Sequence, residues 1–454
     1  MVFNSLIFIF LFLPISILVY QLVPGKKIKQ FLLLILSLLF YCWGNPISLG
    51  LLLISIVWNY LTGIELGLHK GTSKKVVFVL GILFNVLILG IYKYMNFFFG
   101  FTGLHFDLVL PVGLSFFTFS AISYIADVYM GKSAPQKSLL SIALYIAFFG
   151  KVSMGPIVQY HNMEKDLQTF TRLNVTIMGD GMRRFIKGLV KKVILADQFS
   201  ILFANLSGNQ TVLGTWLMAI AYMLQIYFDF SGYSDMAIGL STLFGFHFDE
   251  NFDHPYIATS VQDFWRRWHI SLSRWFRDYI YIPLGGNRVG NVKYIRNIMV
   301  VWLLTGLWHG ANWTFIVWGI YYGLLLLLEK FVLKDILSKL PKFLCRIYTL
   351  ILVLIGWVFF MSGSISDAFF TLTRMIGIGA DGLTSFETFF SLKQFAVFLV
   401  FGILFSMPIQ GKIEKINSKY FGAIMNFSIY IVLFVIAIAF VVSSTFQSFL
   451  YFAF

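Results

Sequence analysis

The chain has 454 residues, of which 59% are hydrophobic and only 12% are charged, and its mean hydropathy is +0.82. Soluble domains carry about 25% charged residues, so this composition excludes a soluble globular protein and indicates a polytopic, all-α membrane protein. A spanning helix needs roughly 20 mostly apolar residues, which allows about eleven spans and leaves no room for a sizeable soluble domain.

The net charge of +14 comes from 34 Lys and Arg against 20 Asp and Glu. The basic residues cluster between apolar runs, which is typical of cytoplasmic loops and not of a phosphate-binding surface, so nucleic acid is not an expected partner. The clusters place the N-terminus outside. They are Lys26, Lys27 and Lys29; Lys70, Lys74 and Lys75; Arg183, Arg184, Lys187, Lys191 and Lys192; and Lys412, Lys415 and Lys419.

The distribution of apolar runs along the chain predicts three parts: N-terminal transmembrane helices over 1–107, a core over 108–330 and C-terminal transmembrane helices over 331–454. In the core, Gly, Pro and polar residues interrupt the apolar runs. Irregular backbone at membrane depth is tolerated where it is buried in protein or lines a cavity, so we expect broken or re-entrant helices around a central funnel. The predicted interruptions are Pro111–Val112–Gly113, Phe149–Gly150, Met154–Gly155–Pro156 and Asp229–Phe230–Ser231–Gly232.

The most polar part of the core predicts an amphipathic helix over 260–282. Ser260 and Asp263 have capping-box spacing at its start, and Pro283 followed by Gly285–Gly286–Asn287 ends it in a turn. Aromatic residues and one leucine recur at helical spacing along one face, which suits the membrane interface. They are Trp265, Trp268, Leu272, Trp275 and Tyr279.

Two histidines are candidates for chemistry. His309 is the only histidine in 298–328. This apolar stretch has no Lys, Arg, Asp or Glu and is long enough to cross a bilayer. Such a residue is a functional-site hypothesis, although a hydrogen-bonded structural histidine is the alternative. His269 is the second candidate, with an interfacial histidine as its alternative. A neutral imidazole can take a proton from an attacking hydroxyl while a second polar group steadies the developing charge.

Other polar residues of the core leave their roles open. Arg266, Arg267, Arg274 and Arg277 suit either lipid headgroups or the phosphates of a donor that arrives from the cytoplasm. A cluster of polar residues between two apolar segments either satisfies the backbone of a broken helix or lines the cavity. Its members are Tyr227, Asp229, Ser231, Tyr233 and Asp235. The remaining histidines lack metal-ligand spacing, so we expect no metal and no tightly bound cofactor.

Long motifs in this core resemble the membrane-bound O-acyltransferase (MBOAT) family. The resemblance covers about residues 108–325 and is densest in two blocks. They are His254–Pro255–Tyr256 with Asp263–Phe264–Trp265–Arg266–Arg267–Trp268–His269–Ile270–Ser271–Leu272–Ser273, and Leu307–Trp308–His309–Gly310–Ala311–Asn312–Trp313 with Trp318–Gly319.

The resemblance implies an enzyme in a bacterial cytoplasmic membrane that moves an acyl group, most simply acetyl from acetyl-CoA, to hydroxyls of an exported polysaccharide. His309 is then the general base and His269 a second catalytic residue that orients a substrate or stabilises the oxyanion. It also implies membrane lipids and an extracytoplasmic SGNH-type acetyltransferase as partners. We assign substrate or donor contacts to Arg266, Arg267, Arg277, Asp278, Trp308 and Asn312.

Within the family, the turn Ile282–Pro283–Leu284–Gly285–Gly286–Asn287–Arg288 is similar to the alginate O-acetyltransferase branch. The chain departs from its relatives at Lys151–Val152–Ser153 and at Gln159, which bears on the substrate and not on the catalytic histidines. D-alanyl transfer to teichoic acid is the alternative enzyme. A transporter or flippase is the alternative from another class, and it would ordinarily show an internal repeat, which this sequence lacks.

Overall fold

The structure is a computed structural model that describes residues 1–44, 46–169, 174–409, 422–443 and 449–450. All regular secondary structure within these ranges is helical. Six of the helices are long and apolar enough to cross a membrane, and three more apolar helices are shorter. These helices confirm the all-α polytopic class, whereas the count of about eleven spans, the funnel and the division at 107 and 330 stay predictions. Lys412, Lys415 and Lys419 lie outside the described residues.

The helices divide between two compact units, and the first comprises residues 1–187 and 233–250. A π-helical turn, Phe8–Phe12, precedes its first helix, and a second one, Gly90–Tyr94, follows its fourth. Its helices are α1 Leu13–Leu22, α2 Lys26–Cys42, α3 Pro46–Leu68, α4 Gly71–Leu89, α5 Met95–Phe99, α6 Leu114–Tyr129, α7 Leu139–Ala147, α8 Tyr160–Met163, α9 Asp166–Thr169 and most of α10 Val175–Val190.

A buried irregular segment over 148–159 in this first unit confirms two of the predicted interruptions, at 149–150 and 154–156, and the non-helical residues 111–113 directly before α6 confirm a third. Gly113 has a φ of 70°, and a Cβ there would lie 2.1 Å from the carbonyl oxygen of Val152, so only glycine allows this approach. Lys151 is buried in the same segment. Its Nζ donates to Ser120 Oγ at 2.7 Å and lies 4.3 Å from the centre of the Tyr145 ring. Burial lowers the pKa of Lys151 to about 7.

The second unit comprises residues 188–232 and 251–454. Three π-helical stretches, Lys191–Ala196, Arg277–Tyr281 and Glu329–Leu333, join its helices. The helices are α11 Asp197–Leu206, α12 Val212–Leu243 up to residue 232, α13 Val261–Arg267, α14 Ile270–Phe276, α15 Asn291–His309, α16 Trp313–Leu328, α17 Lys334–Lys339, α18 Lys342–Met361, α19 Ile365–Met375, α20 Phe386–Ser406 and α21 Gly422–Ser443.

The predicted break at 229–232 is wrong, because α12 runs through these residues without interruption. Lys192, which the charge pattern places in a cytoplasmic cluster, is instead buried. Its Nζ lies 2.7 Å from Asp229 Oδ1 and 2.8 Å from Asp197 Oδ1. A buried carboxylate that is paired in this way needs no break in the helix to satisfy it. Gly232 serves close packing, since a Cβ there would lie 2.8 Å from the carbonyl oxygen of Gly188.

The predicted continuous helix over 260–282 is also wrong, because the chain breaks between α13 and α14 at Trp268 and His269. His269 has a φ of 43°, a left-handed conformation that an α-helix cannot contain. A neighbouring segment holds the break from both sides. Asp253 N–H donates to the carbonyl of Arg267 at 2.9 Å, and Ile270 N–H donates to the carbonyl of Asn251 at 3.0 Å.

Both ends of this broken helix follow the sequence prediction. Ser260 Oγ accepts the Asp263 N–H at 2.9 Å, which is the first half of the capping box. Glu329 accepts the N–H groups of Val261 and Gln262, so it caps the same end. The glycine turn after Pro283 is present as well, and Gly285 and Gly286 both have positive φ. Three aromatic residues and the leucine of the motif, however, are buried in protein: Trp265, Trp268, Trp275 and Leu272.

The apolar stretch over 298–328, which is long enough to cross a bilayer, is an antiparallel hairpin of two helices. Helix α15 ends at His309 and α16 begins at Trp313. Two glycines let the helices touch: a Cβ on Gly306 would lie 2.3 Å from the carbonyl oxygen of Phe315, and one on Gly319 would lie 2.4 Å from that of Trp302. His309 therefore lies at the turn of a tightly packed hairpin.

We expect Gly319→Ala to destabilise the protein by about 1–3 kcal/mol, because the added methyl group must push the two backbones apart. Thermal unfolding of purified protein in detergent would measure the loss. The matched control is Gly50→Ala in α3, where a Cβ meets nothing within 4 Å and helix propensity alone favours alanine. Equal unfolding temperatures for the two variants would contradict the packing argument.

Candidate active site

The hairpin turn that carries His309 is built from short-range signals. Asn312 caps α16, since its Oδ1 accepts the Thr314 N–H at 3.1 Å, and its Nδ2 donates to the carbonyl of Gly363 at 2.9 Å. Gly310 continues the chain in extended conformation. A Cβ at Gly310 would lie 2.2 Å from the ring of Phe315, so only glycine fits. The turn is thus fixed directly next to the candidate base.

His309 is only 3% exposed and is surrounded by aromatic rings. The centre of its imidazole lies 5.0 Å from that of Trp318 and 5.1 Å from that of Phe360, both at steep interplanar angles. Trp308 and Phe315 complete the surroundings, at 4.9 Å and 6.5 Å. These rings exclude water from the imidazole, and a dry surrounding strengthens every polar interaction that the imidazole makes with a substrate.

His269 is buried as well, and its hydrogen bonds fix its tautomer. The side-chain oxygen of Asn251 accepts the backbone N–H of Ser271 at 3.1 Å, which identifies that atom as the oxygen and not the nitrogen. His269 Nδ1 lies 3.2 Å from the same oxygen, so Nδ1 carries the proton and donates it. Nε2 of the neutral imidazole is therefore left with its lone pair.

Nε2 of His269 is buried and has no hydrogen-bond partner among the described residues. The ring is 1% exposed and stands edge-on to Phe230, 4.6 Å away. Burial lowers the pKa of His269 to about 3, because no nearby charge compensates the desolvation of an imidazolium. The residue is consequently a neutral hydrogen-bond acceptor that awaits a donor.

Trp308 connects the two histidines. Its ring centre lies 6.0 Å from that of His269 and 4.9 Å from that of His309. The structure thus brings together three of the residues that the sequence singled out, although they come from two segments some 40 positions apart.

The other predicted contact residues lie in different surroundings. Arg267 is held by Asp263 and Asp253, with N to O distances of 2.9 Å and 3.1 Å. Arg277 is exposed and pairs with Asp278 at 2.7 Å, and Arg266 is exposed too. Asn312 is engaged as a helix cap. The two exposed arginines keep free surface for an anionic ligand, whereas Arg267 and Asn312 have structural partners that account for them.

Sequence reasoning missed Asn251 and Trp318 as site residues. Asn251 is fully buried and fixes the His269 tautomer, yet it follows Asp249 and Glu250 in what reads as a polar loop. Only the pairing of its segment with the α13–α14 break shows its role. Trp318 lies six positions beyond Asn312, the capping residue of α16. Its position in the helix predicts core packing as readily as a site.

A profile of the family "MBOAT, membrane-bound O-acyltransferase family" matches residues 132–370, more than half of the chain. The chain belongs to this family. It is a multi-pass membrane O-acyltransferase, and this identification confirms the resemblance that its motifs indicated.

The chain is 38% identical over 438 residues to the "Probable alginate O-acetylase AlgI" of Azotobacter vinelandii, covering 90% of this chain and 87% of the relative. It is 34% identical over 430 residues to the "Peptidoglycan O-acetyltransferase" of Helicobacter pylori, covering 84% and 81%. The "Teichoic acid D-alanyltransferase" of Bacillus subtilis is more distant, at 32% over 241 residues, with 50% of this chain and 61% of the relative covered.

The low pKa of His269 gives a prediction for the pH profile of acyl transfer. Because that pKa lies at about 3, the residue is neutral at every pH above about 4 and adds no acidic limb between pH 5 and 9. We expect His269→Gln to lower kcat/KM while the midpoint of the acidic limb moves by less than about 0.3 unit. Loss of that limb in the variant would contradict the assignment, since the limb would then belong to His269.

Proposed function

We propose that this protein transfers an acetyl group from cytoplasmic acetyl-CoA to hydroxyls of an exported or envelope polysaccharide, with His309 as the general base. The observation that carries the proposal is the placement of His309, a buried imidazole at a rigid hairpin turn beside a second, neutral imidazole. The named activities of the relatives, alginate O-acetylase and peptidoglycan O-acetyltransferase, supply the class of donor and acceptor.

In the proposed reaction, His309 takes the proton of the acceptor hydroxyl as its oxygen attacks the thioester carbonyl. A base that is held in place and shielded from water promotes this step without hydrolysis of the thioester. His269 orients a substrate, because its unprotonated Nε2 accepts a hydrogen bond from an O–H or N–H group. The same tautomer argues against oxyanion stabilisation by His269, which would need a proton on Nε2.

The donor is expected to approach from the basic side of the membrane. Arg266 and Arg277, which are exposed, are the candidates for its phosphates. We place the protein in a bacterial cytoplasmic membrane and expect an extracytoplasmic SGNH-type acetyltransferase to complete delivery in a relay. D-alanyl transfer is the second enzymatic candidate, but the corresponding relative matches only about half of the chain.

His309→Ala should abolish transfer, with a loss of at least about 10³-fold, because the reaction loses its base while water takes its place only poorly. The measurement is alkali-released acetate on exported polysaccharide and peptidoglycan in a deletion strain that expresses each variant. His105→Ala is the matched control, since His105 is exposed. Equal membrane levels of both variants must accompany the comparison, and normal acetate with His309→Ala would refute the role of the base.

For His269, we expect a loss of about 10- to 100-fold on substitution by alanine, because orientation is weakened while the base remains. Feeding the same strain with labelled acetate and, separately, with labelled D-alanine distinguishes the two transferred groups. Label from D-alanine alone on the envelope polymer would replace our proposed donor with an activated D-alanyl group.

A further inference from the structure

Five aromatic side chains, which we call the indole cluster, pack within and around the α15–α16 hairpin next to His309. Trp318 is fully buried at their centre. Its ring centre lies 5.5 Å from that of Trp265, 5.1 Å from that of Tyr322 and 6.4 Å from that of Trp357. The members are Trp265, Trp302, Trp318, Tyr322 and Trp357, and they come from α13, α15, α16 and α18.

The indole cluster contains an unusual number of buried hydrogen-bond donors without acceptors. Nε1 of Trp265, Trp318 and Trp357 and the hydroxyl of Tyr322 have no hydrogen-bond partner among the described residues. A buried donor that stays unsatisfied costs about 1–3 kcal/mol, and the great majority of such groups in proteins are bonded. Four of them in one cluster indicate that an acceptor atom is supplied by a ligand.

Trp318 is the donor that the geometry connects to the chemistry. Its ring is in direct contact with the imidazole of His309, with centres 5.0 Å apart and planes at 81°. The other three donors contact Trp318 and reach the histidine through it. A substrate carbonyl that reacts beside His309 is therefore next to an indole whose N–H has no acceptor among the described residues.

Acyl transfer needs such a donor. When the acceptor oxygen adds to the thioester carbonyl, the π electrons of that carbonyl move to its oxygen, which becomes negative. His269 cannot stabilise this charge, because its Nε2 carries no proton. An oriented N–H group in a dry site is worth about 10²- to 10³-fold in rate.

We propose that Trp318 is a further catalytic residue, whose Nε1–H donates a hydrogen bond to the oxyanion of the tetrahedral intermediate. The inference rests on the proposed acetyl transfer. The new C–O bond forms as His309 takes the hydroxyl proton; the oxyanion then re-forms the carbonyl, the C–S bond breaks, and the departing CoA sulfur takes the proton from His309.

A packing role for the same indole makes a different prediction. The Trp265 and Trp318 rings meet at 87°, a geometry in which an indole N–H can point at a neighbouring ring and contribute only weakly to stability. Loss of such a contact lowers the unfolding temperature. It does not lower kcat at an unchanged KM, which is the signature of a contact that forms only in the transition state.

The test removes the N–H and keeps the ring. Trp318 is replaced by β-(3-benzothienyl)alanine, in which sulfur stands in place of the N–H, and separately by phenylalanine. Membrane vesicles from the complemented deletion strain, which hold the full chain, the endogenous acceptor and any partner, receive ¹⁴C-acetyl-CoA. The same analogue at Trp216 is the control, because that Nε1 donates to the carbonyl of Met375 at 2.8 Å.

We expect the Trp318 analogue to lower kcat by about 10²- to 10³-fold with KM for acetyl-CoA within about two-fold. The Trp216 analogue should keep kcat and lower the unfolding temperature instead. Turnover within three-fold of wild type at position 318, or equal losses at both positions, would overturn the catalytic role of Trp318 and leave the proposed function intact. Wild-type vesicles that transfer no acetyl group would overturn the proposed function and this inference with it.

Discussion

Helices α15 and α16 are in backbone contact at two glycines. Gly319 of α16 packs against the carbonyl oxygen of Trp302, and Gly306 of α15 packs against the carbonyl oxygen of Phe315. This contact between two helix backbones sets the distance between α15 and α16. The turn at Gly310 and the Asn312 cap then fix where α15 ends. His309 is the last residue of that helix, so its position follows from the packing of the two backbones.

The buried polar groups of the second unit fall into two kinds. Lys192 is paired with Asp197 and Asp229, and the N–H of Leu450 donates to the second oxygen of Asp229 at 2.8 Å. In this network each charge faces an opposite charge, and removal of one partner would leave an uncompensated buried charge. Nε2 of His269 and Nε1 of Trp318 are open, because the described residues offer them no partner. Buried polar groups that stay open in this way cost stability.

The fold class was predictable, and the two histidines could be singled out as candidates, because the signals for both are local. Hydropathy determines the helical membrane class, and a titratable group in an apolar stretch attracts attention wherever that stretch lies. The hairpin at Gly310 was less visible, since an apolar run of suitable length reads as one span. The signal was present in Gly310 followed by Asn312, a glycine and an N-cap residue, but it is short.

The break at His269 and the continuity at Asp229 could not be read from the sequence, because both depend on partners far along the chain. The left-handed His269 is stabilised by the segment at Asn251, and Asp229 is stabilised by Lys192. Local propensity gave the opposite expectation in each place: a helix through Trp268, and a break at Gly232. Tertiary hydrogen bonds and ion pairs outweigh propensities of less than about 1 kcal/mol per residue.

The Asn251 amide determines which nitrogen of His269 carries the proton. Its side-chain oxygen accepts a hydrogen bond from Nδ1–H of His269, which leaves Nε2 as an acceptor. A histidine with this tautomer and a pKa of about 3 can position a substrate, but it neither removes a proton at neutral pH nor donates to an oxyanion. In the proposed transfer, the base and the oxyanion donor are then other groups. His309 and Trp318, in contact at the hairpin, are the pair that the local geometry offers for those two roles.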